Sequence, residues 1–128
     1  MKRHRHLQDL SREHHHALQL ALRARRAATS GDHALIESSA TACRVAFREE
    51  LDAHFLVEET PLIPLLRAAG EAVRVAQVER DHAELRGLSV RLGRPDAATL
   101  LAFAERLSAH VRFEEREVFE LVERLLEV

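Results

Sequence analysis

At 128 residues, with 19 Lys plus Arg against 21 Asp plus Glu well interspersed, the chain has the length of one domain with a real core. It lacks the charge blocks that would favour nucleic acid or an anionic membrane surface. Its one cysteine, Cys43, excludes an internal disulfide and a structural zinc-thiolate site and fits a reducing compartment. No apolar run approaches the roughly 20 residues of a membrane span, and "MKRHRHLQDL" lacks the apolar centre of a signal peptide, so a single cytoplasmic domain over 1–128 is expected.

Ala, Leu, Arg and Glu dominate while Tyr and Trp are absent, which favours helix throughout. Breakers at "TSGDH", "AAGEA" and "LGRPDAA" divide the chain into helices near 6–29, 33–67, 71–92 and 96–127, with Gly93 as a C-cap signal and Asp96 as an N-cap candidate. Connections this short predict an all-α, up-down-up-down antiparallel four-helix bundle.

In the first helix the apolar stripe of Leu7, Leu10, Leu18 and Ala21 has His14 near its middle, with His15 and His16 turned toward the edge and outside. In the second, His54 and Glu58 stand at i and i+4 on the stripe of Leu51, Leu62 and Leu65. Pro61 and Pro64 should kink that helix near the end of the bundle. The third helix sets His82 among Val75, Val78, Leu85 and Leu92. The fourth sets His110 and Glu114 among Leu100, Phe103, Leu107, Val118, Leu121 and Leu125. The second and fourth helices also repeat each other: "AHFLVEETPLIPLL" and "AHVRFEEREVFELV" align without a gap.

Burying four imidazoles and two carboxylates without partners would cost several kcal/mol per charged group, against a domain stability of about 5–15 kcal/mol. Mutual hydrogen bonding is one answer. A metal ion satisfies all six groups at once, and imidazole with carboxylate suits iron, manganese or zinc. His4, His6, His15, His16 and His33 read as solvated or rim residues, and Glu59 and Glu115, turned about 100° from their neighbours, as solvent-side.

These residues resemble the hemerythrin-like, or HHE cation-binding, domains over nearly the whole chain. "LSREHHHAL" is similar to the family's first-helix histidine segment, "HFLVEETPLIP" to its His-x-x-x-Glu helix, "RDHAEL" to its third-helix histidine and "HVRFEE" to its closing His-x-x-x-Glu. The resemblance implies a non-haem di-iron centre, with Glu58 and Glu114 as bridging carboxylates and His14, His54, His82 and His110 as terminal ligands. It favours His14 over His15, because Leu10, Ala17, Leu18, Ala21 and Leu22 flank His14 at the family's inward spacing. Six protein ligands on two ions fit iron or manganese better than zinc, and the resemblance favours iron.

The chain departs from oxygen-carrying members on the third helix, where a second histidine one turn away is replaced by Val78 or Arg86. One iron should then be short of a histidine, leaving an open position or recruiting Glu79 or another carboxylate. Arg86, if turned inward, would need a carboxylate partner and would stabilise a bound anion in a ligand pocket. Three functions are expected in turn. The first is a di-iron protein that binds or senses oxygen, peroxide or nitric oxide, or buffers iron, with any sensor output passing through a protein partner. The second is a di-metal oxidase or peroxidase, and the third a metal-free helical interaction module.

Overall fold

Long stretches of good helix formers, stopped only by glycine-containing turns, give four helical rods in the computed structural model, which describes residues 3–126. Helix α1 spans Arg5–Ala28, α2 runs over 33–68, α3 spans Ala72–Arg91 and α4 runs over 97–126. The expected end of the last helix at 127 and the side chain of His6 lie outside the described residues. Asp32 caps α2 by accepting from the Leu35 amide at 3.2 Å, and Asp96 caps α4 by accepting from the Thr99 amide at 2.7 Å. Gly31 and Gly70 take the left-handed conformation in the first two turns, with φ of 73° and 81°. Gly93 does not take it: α3 ends on Leu92 in right-handed geometry, and the Gly93 amide bonds to the Val90 carbonyl.

Consecutive rods, joined by turns this short, run antiparallel, and side chains meet across each interface. From α1 to α2, Glu13 meets His54; from α2 to α3, Arg67 meets Glu79 and Arg86 meets Asp52. From α3 to α4, His82 meets His110 and Arg106 meets Glu84, while α4 returns to α1 through Glu114 and His14. This is an up-down-up-down four-helix bundle with no strand among the described residues.

The prolines do not break α2. Its α-helical segments His33–Ala46, Asp52–Val57 and Ile63–Ala68 are joined by π-helical turns at Phe47–Leu51 and Glu58–Leu62, and Pro61 sits inside the second of these. Pro64 falls in the first turn of the last segment, where its missing N–H is least costly. Helix α4 carries a π-turn at the matching place of the repeat, Glu114–Val118, between Ala97–Phe113 and Phe119–Leu126, with no proline in it.

Each π-turn inserts a residue relative to the ordinary period and rotates the helical segment beyond it. Leu66 and Val122 are therefore fully buried, as are Ile63 and Phe119, whereas Leu65, Leu121 and Leu125, expected inward at a constant 3.6-residue period, are only partly buried. The apolar interior consequently forms two clusters. One contains Leu51, Phe55, Leu85, Leu100, Phe103 and Leu107; the other contains Leu7, Leu10, Leu66, Val78, Phe119 and Val122. A layer of histidines and carboxylates lies between them.

Candidate metal centre

The i, i+4 geometry of an α-helix aims His54 and Glu58 of α2, and His110 and Glu114 of α4, into the bundle axis, where α1 and α3 each add one histidine. His14, His54, Glu58, His82, His110 and Glu114 are all at most 4% exposed. Their inner atoms converge. His14 Nε2 lies 2.9 Å from Glu114 Oε1 and 3.4 Å from Glu58 Oε2, and His54 Nε2 lies 3.0 Å from Glu58 Oε2. On the other side His82 Nε2 is 3.1 Å from Glu58 Oε1 and His110 Nε2 is 3.0 Å from Glu114 Oε1.

Two overlapping donor sets result. One is His14, His54, Glu58 and Glu114; the other is Glu58, His82, His110 and Glu114; within each set the donor atoms lie within 4.8 Å of one another. Both glutamates belong to both sets, and each set has two histidines. The cluster is thus balanced, two imidazoles on each side, although the third helix has only one histidine.

The outer nitrogen of every ring is taken by a second carboxylate. Nδ1 of His14 meets Glu115 at 2.6 Å, of His54 Glu13 at 2.7 Å, of His82 Glu59 at 2.6 Å and of His110 Asp81 at 2.9 Å. Such a partner places the proton on Nδ1 and turns the Nε2 lone pair inward, the arrangement found behind metal-bound histidines. The pattern repeats by halves. Glu13, just before His14, serves His54, as Asp81, just before His82, serves His110; Glu115 serves His14 as Glu59 serves His82.

Glu59 and Glu115 are therefore not solvent groups. Their carboxylates sit at the outer rim of the layer, 27% and 29% exposed, where the far nitrogen of an imidazole on another helix reaches them. Position on a helical wheel located their backbone but not this contact. The wheel is equally silent on Glu13 and Asp81, and the only sequence signal is an acidic residue beside each site residue, in "EH", "DH" and twice "EE".

Arg86 and Glu79 also find other places. The Arg86 guanidinium, partly exposed, binds Glu59 at 3.0 and 3.1 Å and Asp52 at 3.1 Å, so it holds the carboxylate that holds His82. Glu79 pairs with Arg67 at 2.9 Å. His15 is exposed and contacts Gln19, and His33 pairs with Glu37 on the surface.

The electrostatics fit a cation. Burial would raise the Glu58 carboxyl, but the imidazoles of His14, His54 and His82 override it and hold the group well below its ordinary range. Burial lowers His14, yet its bonds to Glu114 and Glu115 and the nearby Glu58 carboxylate push it up to about 11. His110 is likewise lowered by burial and raised by Glu114 and Asp81, to about 10. Even so, His54 Nε2 and both Glu58 oxygens remain buried without a hydrogen-bond partner. Orphaned acceptors at the meeting point of two His–carboxylate sets are what a bound cation would satisfy.

Fold and site together define an all-α bundle whose buried centre carries His and Glu groups able to hold a metal ion. The hemerythrin HHE cation-binding domain model matches residues 5–122, and the chain belongs to that family. No curated protein and no solved structure matches the chain.

Proposed function

We propose that this protein is a non-haem di-iron protein that binds or senses oxygen, peroxide or nitric oxide, or buffers iron. The observation that carries this reading is the sharing of Glu58 and Glu114 by two donor sets, each completed by two histidines. Glu58 and Glu114 would help to hold both of a pair of cations. His14 and His54 would serve one ion, and His82 and His110 the other. Iron is favoured over manganese and zinc by the family's chemistry, and a mixed imidazole and carboxylate donor set suits it.

When bound, iron would supply one-electron redox chemistry and a Lewis-acidic position for a diatomic or peroxide ligand. The chain's own residues do the rest. Glu13, Glu59, Asp81 and Glu115 fix the tautomers of the four rings, and Phe55, stacked on His82 at 3.9 Å, and Phe119, stacked on His14 at 4.9 Å, shut water out from either side. The single buried thiol, Cys43, is consistent with a cytoplasmic home, and among the described residues no helix is long and apolar enough to cross a membrane.

Anaerobic reconstitution with iron(II), followed by air, tests the proposal. About two irons per chain and a new charge-transfer absorption support it. Metal content near zero with helicity intact by circular dichroism refutes it and leaves the interaction-module reading.

A further inference from the structure

Among the described residues, three of the four carboxylates behind the histidines are themselves gripped by arginine. Arg3 binds Glu115 at 3.2 Å, Arg86 binds Glu59 at 3.0 Å and Arg106 lies 3.7 Å from Asp81. Glu13 is not so held, and at 54% exposed it is the most open of the four. It stands at a groove of about 410 Å³ between α1 and α2, whose lining includes His16, Glu50, Leu51 and His54. Three further surface depressions, along α1–α4, along α3–α4 and at the α3–α4 turn, include none of the six central residues. Arg23 also lines the α1–α2 groove, about 15 Å from Glu13 along α1.

His54 is the wall between this groove and the cluster. One edge of its ring meets Glu13, and the other carries the unpartnered Nε2 beside the unpartnered oxygens of Glu58. On its outer edge His54 is held by a single hydrogen bond to an exposed carboxylate, so turning it outward disturbs no arginine-bound group, although it gives up the 3.0 Å contact with Glu58. Moving His14 or His82 would disturb a carboxylate already bound by arginine, and moving His110 would disturb the buried Asp81, which Gln77 also holds. The easiest opening therefore faces a groove that already offers carboxylate oxygens and an imidazole.

We propose that the α1–α2 groove is the port through which a divalent cation enters and leaves the cluster, with Glu13, Glu50 and His16 as donors along the way and His54 as the ligand that yields. The proposal rests on the metal-centre reading. Its test monitors cobalt(II) uptake by the full chain through visible absorption, and release to excess chelator.

Glu50→Trp fills the groove one turn from His54 and should slow both uptake and release severalfold, with the same number of ions bound at the end. Glu105→Trp, which removes the same charge from a groove on another face, should leave both rates unchanged. If Glu50→Trp fails to fold, Glu50→Lys serves: it should slow uptake by about tenfold at low salt, with the difference closing at high salt. Equal rates in wild type and the Glu50 variants, with cobalt bound in all, overturn the port and leave the metal centre standing. A wild-type chain that binds no cobalt overturns both.

Discussion

The Nε2 atoms of His82 and His110 face each other across 3.1 Å, while Nδ1 of the first is bound to Glu59 and Nδ1 of the second to Asp81. With a proton on each Nδ1, neutral rings would set two lone pairs against one another. Only a proton or a cation between them makes the contact favourable, so the two compete for the same place.

Metal loading should therefore expel protons. With His14 and His110 raised to about 11 and about 10, both should be charged at neutral pH without metal, and because His54 is raised as well, loading should release at least two protons per chain, read with an indicator dye in weak buffer. Stability reflects the same competition. The contribution of these raised histidines is complete below their ordinary 6.5 and is lost as pH rises through about 10 and 11; that of Glu58 is present above 4.5 and is lost in acid. Metal-free protein should be most stable between about pH 4.5 and 6.5, and the melting-temperature gap to metal-loaded protein should widen from about pH 6 to about pH 8. A gap that does not change with pH would show that binding displaces no protons.

Glu58 and Glu114 stand in both donor sets and each histidine in one. Glu58→Gln and Glu114→Gln should each lower occupancy of both ions, whereas His82→Ala should empty mainly one, as metal analysis per chain will show. Loss of a single ion from Glu58→Gln would mean that the carboxylate is not shared.

Register in α1 is open to a direct check, because His14 is 3% exposed in the layer and His15 lies on the surface beside Gln19. His14→Ala should lose metal and His15→Ala should keep it. The opposite result would displace the first helix by one residue.

Arg86 acts through Glu59. Glu59→Gln should weaken the ion held by His82 and His110 by roughly 10- to 100-fold. Arg86→Ala should do so less and cost at most about 1 kcal/mol of stability, since the pair is partly exposed. Azide titration of the iron-loaded protein should give the same affinity for Arg86→Ala as for wild type, because the guanidinium is already engaged by Asp52 and Glu59. A marked loss of azide binding would instead bring Arg86 into the ligand pocket.

Four rods, their order and the six inward groups are legible in the chain alone, because burial on a helix has a period that the residue types display. His54 with Glu58, and His110 with Glu114, stand out from spacing. Three features depend on the packed bundle, since no period contains them. The π-turns at Glu58–Leu62 and Glu114–Val118 shift the apolar stripe beyond them, so that Leu66 and Val122 rather than Leu65 and Leu121 are fully buried. The carboxylates behind the rings come from helices other than those of the histidines they serve, as Glu13 does for His54 and Glu115 for His14. Arg86 turns to Asp52 and Glu59 because those acids, distant in sequence, are brought beside it by the antiparallel packing of α2 and α3. Helical spacing reports which face is buried; which atoms meet across the bundle depends on how the separate helices are set against one another.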